Sequence, residues 1–365
     1  MSLCVGCGPA PLTLQSFLSM LGWPGTLRPP VAKDAEPNND ITQAAQVPFD
    51  DAGHASLSGT VDPAEDVDVY DLGPMQPGDR VAVEVRAVDG SSLDALAALF
   101  DTGLNLVNYN DDEDYAASMF DSVIDHIVHH AADHYYLAVS SSGFAPSSGG
   151  YSLEIQVTRD GTVPAPRDQA VLLDFDGAIV NIPGDRTYRI SPFDPAGVDA
   201  RLDGRDDEVK QGIKDVLEDR FSAYDVDFFT TDDIGLPDEG TYSRVVFGGQ
   251  SGTAFGIAQG IDHYNGDPAD EAIIFTDRWT NPFSQTPTVD ALLTSIGNVA
   301  AHEIGHLLGL EHTADVTGLM DSTGTSDTIL VPQIFKLSPL EGTVFPFGWQ
   351  DAPQLLLDTL GPTDN

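Results

Sequence analysis

The chain has 365 residues, 41% of them hydrophobic, which is enough length and apolar content for two domains with separate cores. Its charge is lopsided: 16 Lys and Arg stand against 58 Asp and Glu, a formal net charge of −42. A field of that sign disfavours nucleic acid and anionic membrane surfaces as partners, and suits Ca²⁺ binding or solubility in salt.

Residues 1–33 read as a leader or linker that includes the run Pro24-Gly25-Thr26-Leu27-Arg28-Pro29-Pro30. They hold both cysteines, Cys4 and Cys7, so the folded domains are expected to lack disulfides. Leu3-Cys4-Val5-Gly6-Cys7 has the look of a lipoprotein cleavage box, yet no basic n-region or apolar h-region precedes it. A truncated export signal is one reading of the stretch and a plain leader the other. Leu12–Trp23 is too short to span a bilayer.

From residue 34 to 158, short alternating segments are broken by Gly, Pro, Asp and Ser. Candidate strands are His54–Thr60, Asp66–Leu72, Arg80–Arg86, Leu96–Phe100, Ser122–His129, Tyr135–Ser140 and Tyr151–Val157, the pattern of an antiparallel sandwich. The pieces Glu36-Pro37-Asn38-Asn39-Asp40, Gly59-Thr60-Val61, Asp66-Val67-Asp68-Val69-Tyr70-Asp71-Leu72, Gly78-Asp79, Asn108–Asp112 and Gly149–Leu153 resemble the bacterial pre-peptidase C-terminal domain. In that family this small β-sandwich accompanies secreted peptidases. The resemblance therefore implies a chain acting outside the cell or at its surface. The module precedes the rest of the chain here, which favours a fixed accessory or targeting role over a cleavable tail. Within it, His126, His129, His130 and His134 are read as surface polar residues, with alternation sending His126 and His129 to opposite faces. The acidic turn Asp111-Asp112-Glu113-Asp114 is read either as a Ca²⁺ loop or as a solvated one, and it lacks EF-hand spacing.

Residues 159–168, with Pro164 and Pro166, form the linker to a C-terminal α/β domain over residues 169–365. Ala170–Phe175 reads as a buried strand, and Arg205–Tyr224 as an amphipathic helix with Val209, Ile213, Val216, Leu217 and Phe221 on one stripe. Strands are expected at Val226–Thr230, Arg244–Gly248, Gly256–Ile261 and Ala272–Thr276. A long helix is expected at Val289–Leu310 and a short closing helix at Ala352–Leu360.

The second long helix carries His302-Glu303-Ile304-Gly305-His306-Leu307-Leu308-Gly309-Leu310-Glu311-His312. His302 and His306, four apart, share one helix face at about 6 Å along the axis. Two imidazoles there suit neighbouring corners of a zinc tetrahedron. Gly309 lets the chain leave the helix at positive φ, so that His312 returns as a third ligand. Three protein ligands leave one position open, which marks a catalytic zinc. Glu303 is placed to reach a water there and act as general base and acid.

That string, with Met320 eight residues after His312, resembles the metzincin metallopeptidases, and the short spacing is matrixin-like. The resemblance implies a mixed sheet, an active-site helix and a turn that brings Met320 beneath the three imidazoles. It also implies that Phe255–Asp262 is the edge strand pairing with extended substrate, and that residues from Gln333-Ile334-Phe335 through Phe347–Asp351 build the floor of a substrate pocket. Ser322 stands two residues after Met320, so the extra tyrosine ligand of some relatives is absent, and Thr313 after the third histidine matches no familiar subfamily. Asp262, Asn265, Asp267 and Asp277 are candidate oxygen ligands for a structural Ca²⁺, and His263 is read as a loop residue. The expectation is thus one catalytic Zn²⁺, a protein or peptide substrate, no nucleic acid, no integral membrane span and a monomer. The rival is an exported, non-catalytic binding or adhesion protein on a degenerate peptidase fold.

Overall fold

In the computed structural model of the chain, residues 32–33, 36–113 and 118–363 are described. The expectations for Cys4, Cys7, the Leu12–Trp23 stretch and Asp114 lie outside them. The described residues fall into two units: one runs to residue 164 and adds 342–349, the other comprises 165–341 and 350–363.

The first unit is the expected β-sandwich. Its strands are β1 (Ala32–Lys33), β2 (Ala45–Gln46), β3 (His54–Val61), β4 (Val67–Met75), β5 (Arg80–Ala87), β6 (Ala95–Phe100), β7 (Leu106–Asn110), β8 (Ser122–Ile127), β9 (Ala132–Ser141) and β10 (Gly149–Thr158). They form two five-stranded sheets, β1-β3-β10-β5-β8 and β2-β4-β9-β6-β7. Along β10, Tyr151, Leu153, Ile155 and Val157 alternate into the core between the sheets, as a pleated strand requires. Tyr151 is anchored there by its hydroxyl, which donates to Asp68 Oδ2 at 2.5 Å and meets the Tyr70 hydroxyl at 2.5 Å.

Strand β6 departs from alternation because both of its faces are covered. The Phe100 ring lies 5.3 Å from Phe345 and 5.4 Å from Phe347, both in the returning segment 342–349. This corrects the expectation that the chain through Phe347 floors a substrate pocket, since these aromatic rings are spent on the sandwich. The histidine reading also needs correction. His126 is buried in β8, and its ring sits 6.2 Å from that of His129, which lies past the strand end and is free of its alternation. The acidic turn is half-buried, and desolvation pushes Asp111 up to about 7 and Asp112 up to about 6.

The second unit is built on a mixed sheet in the order β14-β11-β15-β17-β16, from β11 (Gln169–Asp174), β14 (Val226–Thr230), β15 (Tyr242–Phe247), β16 (Gly256–Ala258) and β17 (Glu271–Ile274). All neighbours are parallel except the edge strand β16, which runs antiparallel to β17. One face is covered by α1 (Asp206–Arg220) and α2 (Val289–Leu307). Helix α1 turns Val209, Ile213 and Leu217 inward, as its stripe predicts. The other face is covered by a hairpin the sequence reading missed, β12 (Ile179–Asn181) with β13 (Thr187–Arg189). Its Val180, Ile182 and Ile190 pack on Val246, Ile257, Ile273 and Phe275. Pro183-Gly184-Asp185 between two short alternating runs was the available signal. A further strand pair, β18 (Leu337–Pro339) with β19 (Trp349–Asp351), and α3 (Ala352–Leu360) close the chain. No helix of the described residues is long and apolar enough to cross a membrane.

Below the sheet's strand ends, Asn265 Nδ2 donates to Gln169 Oε1, Gln169 Nε2 to Ser243 Oγ, and Ser243 Oγ to Asp270 Oδ1. Asp270 Oδ2 is buried without a hydrogen-bond partner, and desolvation pushes this carboxyl up to about 8 from an ordinary 3.8. Between those values the folded chain keeps a proton that the unfolded chain has lost, so stability falls as pH rises through that window. Asp270→Asn, which keeps the acceptor for Ser243, is expected to raise the melting temperature in calcium-free buffer by roughly 2–4 °C at pH 8 and by less at pH 5. Melting curves at the two pH values check it.

Candidate active site

Helix α2 is a buried central element, and its start is fixed by Thr288, whose side chain accepts the Ala291 N–H at 3.1 Å. Its end is fixed by Gly309. At φ 91° this residue lets Leu310 N–H reach back to Gly305 O at 2.8 Å while its own N–H bonds His306 O at 2.9 Å. A Cβ there would also meet the His263 Cα at 2.8 Å. The helix therefore stops at Leu307, three residues earlier than its hydrophobic pattern suggests, and the chain reverses toward His312.

The reversal brings three imidazoles together. His306 Nε2 lies 3.1 Å from His302 Nε2 and 3.1 Å from His312 Nε2, and the last two are 3.2 Å apart. The opposite ring nitrogens are directed at backbone carbonyls: His302 Nδ1 to Leu319 O and His306 Nδ1 to Leu310 O, each at 2.7 Å. An Nδ1–H donated to a carbonyl leaves a lone pair on Nε2. Desolvation holds the proton off as well. It lowers His302, pushes His312 down to about 3, and with the neighbouring imidazoles takes His306 well below its ordinary value.

These residues fit zinc. The Nε2 atoms stand at separations that three nitrogen ligands about 2.0–2.1 Å from one ion would allow. Three neutral donors with one side open are the donor set of a catalytic site.

Glu303 is 3% exposed, and burial pushes its carboxyl up to about 8. The Ala258 N–H bonds this carboxylate, while Oε2 has no hydrogen-bond partner. Strand β16 passes so close that a Cβ on Gly256 would lie 2.5 Å from Glu303 Oε1. On the other side of α2, Met320 is 2% exposed, and its Sδ would be 2.5 Å from a Cβ on Gly305. Thr313 N–H bonds Met320 O at 2.8 Å, tying the residue after the third histidine to this turn. The structure thus brings together His302, Glu303, His306, Gly309, His312 and Met320.

Two contributors were missed. The backbone just before His312 is clamped by Gln350, whose Oε1 accepts the Glu311 N–H at 2.6 Å while its Nε2 donates to Glu311 O at 2.9 Å. Nothing in the local string around Gln350 signals that role. Gly256 was seen only as part of a strand; its following Ile-Ala and the small residue itself were the available signal.

The calcium candidates are not brought together as a set. Asp262 Oδ2 accepts the Asp267 N–H at 2.7 Å, and Asn265 follows in the same turn. Asp277 lies instead in the helical turn Thr276–Trp279 and accepts the Ser251 N–H at 3.1 Å. Among the described residues, side chains of three or more His, Cys, Asp or Glu converge at His302/His306/His312 and at Glu36/Asp66/Asp68, and none of the four candidates is included.

Residues 245–331 match the model of the matrixin family, a span holding the end of β15, β16, β17, α2, the three histidines, Glu303, Gly309 and Met320. The resemblance expected from the motif is met over that span. No curated protein matches the chain. Among solved structures, a periplasmic inhibitor of g-type lysozyme from Aeromonas hydrophila is similar at 18% identity over 32% of this chain and 96% of its own, with a TM-score of 0.26. The pre-peptidase C-terminal domain of a Bacillus anthracis collagenase is similar at 14% identity over 36% of this chain and 100% of its own, TM-score 0.23. Archaemetzincin from Methanopyrus kandleri is similar at 14% identity over 46% of this chain and 89% of its own, TM-score 0.27.

His306→Ala is expected to abolish stoichiometric zinc binding. Gln350→Ala should weaken it by roughly tenfold while leaving all three ligands in place. Zinc titration against a competing chelator measures both.

Proposed function

We propose that the chain is an exported zinc endopeptidase, working as a monomer, with Glu303 as its general base and acid. The observation that supports this most directly is the triangle of histidine Nε2 atoms with the buried, unpartnered Glu303 Oε2 beside the free edge of the sheet. Zinc bound by His302, His306 and His312 supplies a Lewis acid that polarises a carbonyl and acidifies water.

The remaining work falls to the chain. Phe255 O and Gln259 N–H are engaged with β17, and Ile257 faces Ile273 in register, so the backbone groups of Gly256 and Ala258 point away from β17. The Ala258 N–H is taken by Glu303, which leaves Gly256 N–H, Gly256 O and Ala258 O for the outer edge. An extended peptide can pair with that edge, which gives main-chain affinity with little sequence preference. Glu303 Oε2 then takes a proton from the attacking water and returns it to the leaving nitrogen. Gly256 keeps the strand close to Glu303 without a side chain in the way. Export is supported by the resemblance of the sandwich to modules of secreted peptidases.

The rival reading, a non-catalytic binding protein, is disfavoured by an intact Glu303 in this position.

The zinc-loaded protein is expected to cleave casein or gelatin, to lose activity to chelator and regain it with zinc. Glu303→Ala should bind zinc but lose at least about a hundredfold in rate. A wild-type protein that binds zinc and cleaves no more than Glu303→Ala would overturn the peptidase reading.

A further inference from the structure

Just before β16 in the chain, residues 250–252 line, with the β12–β13 hairpin, an open cavity of about 490 Å³. The hairpin is held there by Tyr188, whose ring packs 5.3 Å from Phe275, and by Ile190, which fills the space beside Gly249. Gly252 in the cavity lining stands four residues before Gly256, the β16 residue that touches Glu303. The lining also includes Arg186, Tyr188, Arg189, Ser251 and Asp277. Arg186 lies over the Tyr188 ring at 4.8 Å and is 3.8 Å from Asp185. Asp277 is occupied in accepting the Ser251 N–H.

Arg189 is exposed and has no carboxylate within ion-pair distance among the described residues. Next to Asp277, Arg278 likewise has no carboxylate partner and lies 5.5 Å over the Phe255 ring. In a chain with 58 acids for 16 bases, such guanidinium groups are exceptions. Elsewhere Arg80, Arg86, Arg201, Arg205 and Arg244 each hold a carboxylate. A net charge of −42 repels an acidic peptide at most of the surface, so Arg189, without a carboxylate partner and with Arg186 beside it in the cavity lining, gives such a peptide one favourable seat.

We propose that this cavity is a substrate subsite in which Arg189, with Arg186, holds an acidic side chain of the bound peptide a few residues from the scissile bond. The proposal rests on the peptidase reading, and its test separates the two.

Labelled, C-terminally amidated decapeptides carrying one Glu or Gln at successive positions are titrated against zinc-loaded full-length Glu303→Ala protein by fluorescence anisotropy. Glu is expected to bind about three- to tenfold tighter than Gln at one position or two adjacent ones. That ratio should shrink as salt rises and fall to about one in Glu303→Ala combined with Arg186→Gln and Arg189→Gln. Both arginines are exposed, and thermal melts verify that the variant folds. A ratio within about twofold at every position, or one that survives in the arginine variant, overturns the subsite. So does a preference seen only for peptides with a free C-terminal carboxylate, which would assign the arginines to a chain end. Cleavage by the wild-type protein is scored separately, so a charge preference without hydrolysis counts against the peptidase reading and not against the subsite.

Discussion

The site depends on one reversal of the backbone. At Gly309 the last helical carbonyls are satisfied by the next two amides, and the chain turns so tightly that any Cβ would strike the loop at His263. Without that turn His302 and His306 would be two imidazoles on a helix, with the third nitrogen elsewhere. With it, three Nε2 atoms stand within 3.2 Å of one another at the buried end of α2. Crowding three nitrogen bases into a desolvated corner is unfavourable for any protonated form, so the triad is neutral and directed at a cation.

Support for that corner comes from nearby turns and from segments more distant in sequence. Leu319 O and Leu310 O orient two of the rings, Gln350 clamps the backbone before the third, and Met320 fills the space under Gly305. On the substrate side, β16 brings Gly256 and Ala258 against Glu303. The absence of side chains at Gly256 and Gly305 is what allows a strand and a methionine to approach α2 from two directions. The loop 250–252 that lines the arginine-bearing cavity runs on within a few residues to the strand whose Gly256 meets Glu303.

Much of this was legible in the string because it is local. A repeat of four along a helix, a glycine at a fixed offset and a histidine three residues on define a metal site through backbone geometry alone. Alternation likewise located most strands of the sandwich and the stripe of α1. Reading failed where a residue answers to something distant. His126 was expected at the surface and is buried, because strand β8 is only one wall of its surroundings. The edge strand ends at Ala258 rather than Ile261, since Tyr264 and Asn265 take positive φ and fold the following loop back on itself. Phe345 and Phe347 have the hydrophobicity of a pocket floor, yet they pack on Phe100.

The sequence by itself determined the two kinds of domain, the three clustered histidines, the glutamate after the first of them and the turn residue between, since each follows from periodicity or from a short-range conformational need. Tertiary structure alone decided which carbonyls orient the rings, that Gln350 holds the third ligand's backbone, that Asp277 stands apart from Asp262, Asn265 and Asp267, and that Arg186 and Arg189 meet the loop before β16. Most of those pairings join residues tens of positions apart, brought together by sheet order and by burial of the hairpin on the sheet face. No local pattern encodes them, because the free energy that sets them belongs to the packed core and not to any one segment.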